Sequence, residues 1–260
     1  MANSKVHGRF VWYELMTSNP DAAQKFYTQA IGWTTQKFDG PMEYTMWVAP
    51  SGPVGGVMQL PEEAKKMGAP PHWLAYIGTD NVDATVKRAR ELSAKVLVEA
   101  KDIPNVGRFA VLQDPQGAVF AAFKGTKEEP VREGALGEFA WHELYTTDAV
   151  AALTFYTDLF GWEKTTAMDM GPMGVYQMYG QGEKTYGGIM KITPDMKGMP
   201  PNWNLYVRVD NADHAVNRIR ELGGKIMNGP MDVPGPSGER IAQAIDPQGA
   251  AFSVVGPLKK

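Results

Sequence analysis

Asp114-Pro115-Gln116-Gly117-Ala118 and Asp246-Pro247-Gln248-Gly249-Ala250 are the same pentapeptide, each with a phenylalanine two positions beyond it, Phe120 and Phe252. Their offset is 246 − 114 = 132, and nearly the same offset relates Phe26-Tyr27 to Phe155-Tyr156 and Gly32-Trp33 to Gly161-Trp162 (129), and Asp80-Asn81 to Asp210-Asn211 (130). A fixed period carried by unrelated short matches marks an internal duplication, and slippage of one to three residues places the insertions in loops. The pentapeptide is also a tight turn. Pro fixes φ, Gly takes the positive φ, and Asp bonds the backbone just beyond it. The apolar run Ala118 to Phe123 then reads as a buried strand leaving a hairpin.

At 260 residues the chain is long enough for two domains of about 150 residues or fewer, and the repeat supplies the cut. A net charge of −3 suggests neither nucleic acid nor a polybasic membrane contact. The absence of cysteine removes thiol nucleophiles, thiolate metal sites and disulfides. Residues 1–7 lack the apolar core of a signal peptide, and no apolar run approaches the roughly 18 residues of a membrane span. The expectation is a soluble cytoplasmic protein, monomer or homodimer, whose partner is a small-molecule ligand.

Residues 10–16 have strand composition, and Ser18-Asn19-Pro20-Asp21 then offers a cap, a proline near the first helical position and an acidic first turn. Ala22, Ala23, Phe26, Tyr27, Ala30 and Ile31 share one helical face before Gly32. Strands follow at Trp33 to Phe38, Tyr44 to Val48 and Val57 to Leu60. The unit begins again at His72, with a strand to Ile77, a cap at Asp80, a helix carrying Val82, Val86, Ala89 and Leu92, and three more strands ending at Phe123. The second half repeats this order. The predicted architecture is α+β, four βαβββ modules in two domains, 1–124 and 137–260, joined by a charged, Gly/Pro-punctuated linker, 125–136.

Paired βαβββ units with Phe-Tyr in the first helix, Gly-Trp at its end and Asp-Pro-x-Gly-x-x-Phe near the close resemble the vicinal-oxygen-chelate superfamily of glyoxalases, bleomycin-resistance proteins and extradiol dioxygenases. The resemblance covers almost the whole chain. It implies two glyoxalase-like open barrels, each with an inner cavity, and a divalent metal held by residues of the first, fourth, fifth and last strands. In this chain those positions fall on Trp12, Gln59, Leu74 and Ala121, and on Trp141, Lys191, Asn204 and Ser253. Indole only donates, Leu and Ala offer nothing, and an ammonium repels a cation. On this reading the usual metal centre is lost from both halves, and no cofactor is called for.

Strand alternation puts Trp12, Glu14 and Met16 on one face of the first strand, and Trp141, Glu143 and Tyr145 on that of its copy. On the opposing strands His72, Leu74 and Tyr76 share a face, as do Asn202, Asn204 and Tyr206. Two functions remain open. One is a binder of a small apolar or aromatic molecule, with Trp12 and Trp141 stacking on it and His72, Tyr76, Lys191, Asn204 and Tyr206 lining its site. The other is a metal-independent lyase, isomerase or hydroxylase-like enzyme on a small carbonyl compound, with Glu14 and Glu143 as general bases whose pKa is raised by burial. Against both stands a structural role, in which the two carboxylates pair with Arg108 and Arg240. His142 is expected in the core. The methionines Met168, Met170, Met173 and Met178 suggest soft packing beside a pocket.

Overall fold

The computed structural model describes residues 5–40, 44–196, 198–235 and 237–257. The first half runs β1 (Phe10–Thr17), α1 (Pro20–Ala30), β2 (Thr34–Lys37), β3 (Thr45–Ala49), β4 (Gly52–Gln59), α2 (Glu62–Lys66), β5 (His72–Gly78), α3 (Val82–Glu91), β6 (Lys95–Ile103), β7 (Gly107–Gln113) and β8 (Val119–Gly125). The second runs β9 (Phe139–Thr146), α4 (Ala149–Phe160), β10 (Glu163–Asp169), β11 (Val175–Gln181), β12 (Lys184–Lys191), β13 (Asn202–Arg208), α5 (Ala212–Glu221), β14 (Lys225–Asp232), β15 (Glu239–Ile245) and β16 (Ala251–Pro257), with a single 3-10 turn at Gly171–Met173. The two sheets have the same order, β2-β3-β4-β1-β5-β8-β7-β6 and β10-β11-β12-β9-β13-β16-β15-β14. Each is mixed and does not close into a barrel: the pairs β1·β4, β5·β8, β12·β9 and β13·β16 are parallel, and hairpin neighbours are antiparallel.

Capping explains where the helices start. The side chains of Asn19 and Asp148 accept from the backbone N–H of Ala22 and of Val150 and Ala151 at 3.0–3.1 Å. The expected cap at Asp80 is displaced by one residue. Asn81, extended at φ −154°, caps α3 by accepting from Ala84, and its copy Asn211 caps α5. Asp80 instead lies 3.4 Å from His7 and Asp210 lies 3.5 Å from Arg218. Two other boundaries move. β4 starts at Gly52, well before Val57, and carries Gly55-Gly56 inside it. The short helix α2, with two glutamates in its first turn and two lysines in its last, fills a stretch for which no element was expected. Residues 126–138 form neither helix nor strand, yet their end is pinned: Glu138 is buried and accepts from Arg132 (3.1 Å), Ser51 (2.7 Å) and the amides of Gly134 and Ala135.

By backbone packing the chain divides into two compact units. One comprises Met1–Val11, Ala75–Val131 and Trp141–Asn204; the other comprises Trp12–Leu74, Arg132–Ala140 and Leu205–Lys260. Each unit therefore combines a module of the first half with one of the second. In the first unit, Tyr156 on α4 donates to Asp114 Oδ2 at 3.0 Å and accepts from Trp203 Nε1 at 3.3 Å. In the second, Tyr27 on α1 donates to Asp246 Oδ2 at 3.1 Å and accepts from Trp73 Nε1 at 3.0 Å. The other oxygen, Oδ1, closes the Asp's own turn by accepting from the amides of Gln116, Gly117 and Ala118, or of Gln248 and Ala250, at 2.7–2.9 Å.

Aromatic rings fill the space around each phenol. Tyr27 packs with Trp33, Trp47 and Trp73, and Tyr156 with Phe160, Trp162 and Trp203. Trp33 donates to the carbonyl of Gly137 and Trp162 to that of Gly8, which ties the entry of β9 or of β1 into the same cluster. His142 is a core residue, as expected: its ring stacks on Phe10 at 3.8 Å and burial pushes its pKa down to about 4.

Tyr27→Phe and Tyr156→Phe leave the shape of the core intact but strand a buried carboxylate oxygen and an indole N–H. Each is expected to lower unfolding free energy by about 1–3 kcal/mol in urea titrations, while phenylalanine at exposed Tyr-free surface positions costs little. A loss below about 0.5 kcal/mol in both would show that these bonds do not hold the two modules within each unit together.

Candidate functional site

Alternation on β1 is as expected: Tyr13 and Leu15 are buried on one face, and Trp12, Glu14 and Met16 occupy the other. The parallel register sets Glu14 opposite Gly56, and in the copy Glu143 opposite Gly188. That pairing explains the second glycine of each Gly-Gly pair. A Cβ on Gly56 would stand 1.9 Å from the Tyr44 hydroxyl oxygen, and one on Gly188 2.1 Å from Cζ of Tyr176. The bare backbone lets a tyrosine ring lie across the strand and reach the carboxylate beyond it. The first glycine of each pair serves a different approach: its Cβ would meet the carbonyl oxygen of Tyr13 or of His142 at 2.1 or 1.8 Å. A bulge lies one position earlier in each strand, where the register shifts opposite Trp47–Val48 and Tyr179–Gly180.

A directional hydrogen-bond chain results in each unit. Trp12 Nε1 donates to the Tyr44 hydroxyl at 2.9 Å, and Tyr44 donates to Glu14 Oε2 at 2.7 Å. Trp141 Nε1 donates to the Tyr176 hydroxyl at 2.8 Å, and Tyr176 is bonded to Glu143. Both carboxyl groups are buried, 4% and 6% exposed, beneath half-buried indoles. The copies differ at one neighbour. Asn204 on β13 donates its amide to Glu143 Oε2 at 3.3 Å; the equivalent residue on β5 is Leu74, which has nothing to donate. Glu14 Oε1 is buried with no partner among the described residues. Burial pushes the Glu14 pKa up to about 8, partly offset by the Tyr44 hydrogen bond, which favours the protonated form well above the ordinary carboxyl range.

The structural pairing of these carboxylates with arginine does not occur. Arg108 bonds Asp83 and Asp102 at 2.8–2.9 Å, and Arg240 bonds Asp213 and Asp232, because both arginines sit on strands flanked by helix-start and edge-strand aspartates. Of the other candidates, His72 is tied to the carbonyl of Pro70 through Nδ1 at 2.7 Å, and burial lowers its pKa. Its copy Asn202 makes the same bond to Pro200 at 2.8 Å, so a hydrogen-bond donor closing the Pro-Pro loop is what the position requires. Tyr76 packs against Phe109 and Phe123, and the Tyr206 hydroxyl accepts from Gln243. Lys191 ends β12 exposed to solvent. Trp12 with Glu14, and Trp141 with Glu143 and Asn204, are thus the sequence candidates the fold brings together.

The residues missed are Tyr44 and Tyr176. Their separation, 176 − 44 = 132, is that of the repeated turn and was the available signal. Around Tyr176 lie Trp141, Tyr145, Met168, Met170, Met178 and Met190, a soft apolar lining. Gly188→Ala is expected to cost about 1–3 kcal/mol by driving Tyr176 off the strand, and much less when combined with Tyr176→Ala, which removes the obstructing ring. Equal costs in both backgrounds, measured by thermal and urea unfolding, would remove the account of the Gly-Gly pair.

Comparison with known proteins agrees with this architecture. A family model described as Glyoxalase/Bleomycin resistance protein/Dioxygenase superfamily matches residues 9–121 and 138–254. CFP32, a glyoxylase-named protein of Mycobacterium tuberculosis, is 32% identical over 252 residues, 95% of this chain and 94% of that one. The anthracycline biosynthesis protein DnrV of Streptomyces peucetius is 31% identical over 262 residues, 95% of this chain and 93% of that one. Among solved structures, the Mn(II)-bound glyoxalase of Novosphingobium aromaticivorans superposes with TM-score 0.64 at 16% identity, over 99% of this chain and 84% of that one. A variant of homoprotocatechuate 2,3-dioxygenase from B. fuscum gives 0.68 at 14% identity, over 96% of this chain and 72% of that one. With the family model matched once in each half, the chain belongs to the Glyoxalase/Bleomycin resistance protein/Dioxygenase superfamily.

Proposed function

We propose that the protein binds a small apolar or aromatic molecule at two sites, one in each unit, each built on a tryptophan, a tyrosine and a buried glutamic acid where relatives of this fold carry a metal. The observation that carries the proposal is the chain Trp12–Tyr44–Glu14 and its copy Trp141–Tyr176–Glu143. It fixes an indole face beside a polar group that orients a ligand, the usual division of labour in small-molecule sites.

The donor chemistry of both sites suits a metal poorly. At the positions that the family resemblance implies for metal ligands stand Trp12, Gln59, Leu74 and Ala121, and Trp141, Lys191, Asn204 and Ser253. Glu14 already accepts from Tyr44, and Glu143 from Asn204. Among the described residues no group of three or more His, Asp or Glu converges. A divalent cation needs several anionic or imidazole donors about one point. Among the described residues each site offers one carboxyl group, and burial favours the protonated form of Glu14. The methionines around Tyr176 supply adaptable apolar surface for a flat ligand, and the relative named for anthracycline biosynthesis accords with an aromatic class.

Stacking on Trp12 and Trp141 makes the test optical. Titration with a library of small aromatic compounds is expected to give saturable quenching of tryptophan fluorescence by at least one member. Trp12→Phe and Trp141→Phe should each remove part of the signal. Complete absence of saturable quenching across the library would contradict the proposal.

A further inference from the structure

The two sites are built alike up to the last neighbour of the carboxyl group, and that neighbour decides which way hydrogen bonds run. In the second-half site Glu143 faces two donors, the Tyr176 hydroxyl and the Asn204 amide. In the first-half site Tyr44 is the only donor among the described residues that reaches Glu14, on Oε2, and Leu74 replaces the amide. Oε1 of Glu14 is buried and has no partner among the described residues. With Tyr44 receiving the Trp12 N–H and giving its own proton to Oε2, an acid proton on Glu14 is accommodated on Oε1. An unmade hydrogen bond from a buried acid is unfavourable, and a ligand acceptor at that point would make it.

We propose that the first-half site selects ligands carrying a carbonyl oxygen, a ketone or quinone on a flat apolar frame, which accepts the proton of Glu14 Oε1, and that Leu74 is the residue setting this preference. The second-half site, where the Asn204 amide stands in place of Leu74 and already donates to Glu143 Oε2, lacks this arrangement. The inference rests on the ligand-binding function proposed above.

Few other groups titrate near Glu14. Among the described residues, its face on β1 carries Trp12 and Met16; on β4 Gly56 and Met58; before β3 the Tyr44 phenol; on β5 Leu74 and His72, whose pKa burial lowers and whose Nδ1 is bonded to the Pro70 carbonyl. The pH dependence then follows with a definite sign. The folded-state pKa is raised above the ordinary carboxyl value, so the protonated form is favoured at low pH and its contribution is lost as pH rises toward and through about 8.

The test compares 9-fluorenone with 9-fluorenol, which share one ring system and differ in presenting a carbonyl acceptor or a hydroxyl group. Calorimetric titrations use the full chain carrying Trp141→Ala, so that only the first-half site reports. The ketone is expected to bind at least tenfold tighter than the alcohol at pH 6.5, with affinity falling above pH 8. Leu74→Asn should supply Glu14 with a second donor, favour its carboxylate and abolish the preference. Glu14→Gln, whose amide N–H can replace the acid proton, should keep ketone binding and lose its pH dependence.

Ketone binding that ignores Leu74→Asn and pH would overturn this inference while leaving the ligand site standing. Failure of both compounds to bind would overturn the two together. A ligand-free arm guards against that ambiguity. Between pH 5 and 8 the wild type should lose stability relative to Glu14→Gln, and Leu74→Asn should flatten the difference. No such relative loss would contradict a buried, unpartnered acid at Glu14.

Discussion

The bond between a helix tyrosine and the aspartate of a distant turn organises this molecule. Asp114 and Asp246 each spend one oxygen on closing their own Asp-Pro-Gln-Gly turn and the other on a tyrosine from the opposite half of the sequence, Tyr156 or Tyr27. Neither carboxylate can stay buried without those donors, since an unpaired buried charge costs several kcal/mol. The constraint explains why each compact unit combines a module of one half with a module of the other, although each sheet is built from a single half. The duplicated pentapeptide thus does more than turn the chain: it carries the acceptor for the other half's phenol.

The same chemical sentence, indole to phenol to carboxyl, is written four times. In the cores it reads Trp73–Tyr27–Asp246 and Trp203–Tyr156–Asp114, and on the first strand of each half Trp12–Tyr44–Glu14 and Trp141–Tyr176–Glu143. What separates the two uses is saturation. The aspartates accept from turn amides in addition to the phenol and have no capacity to spare. The glutamic acids lack such a turn, and Glu14 lacks even the amide that Asn204 supplies to its copy. Full satisfaction suits a core, and spare capacity beneath a half-buried tryptophan suits recognition.

Most of the fold could be read from local chemistry. Turn residues, helix faces and caps are short-range, so four βαβββ modules emerge from pattern alone, with errors of a residue or two such as Asp80 in place of Asn81. Strand alternation likewise brought Trp12 and Glu14 to one face. What stayed hidden depends on register. Tyr44 lies 30 residues from Glu14, and only the pairing of Glu14 with Gly56 reveals that the phenol crosses a bare glycine to reach it. Read locally, Gly55-Gly56 suggests a bend; in three dimensions it is clearance for a ring and a carbonyl. Arg108 and Arg240 were plausible partners for the same reason: sequence distance does not say which face of an edge strand an arginine serves, and both turn to nearby aspartates.

Under the function proposed above each half carries an organic site in place of a metal site, and metal retention tests that exchange most directly. Purified protein, stripped with chelator, would be incubated with zinc, nickel, manganese and iron(II), desalted and analysed by plasma mass spectrometry. The donor sets around Glu14 and Glu143 predict no stoichiometric retention of any of the four. Retention of one metal per half, lost in Glu14→Gln and Glu143→Gln, would mean that these carboxyl groups are metal ligands after all and would contradict the central claim.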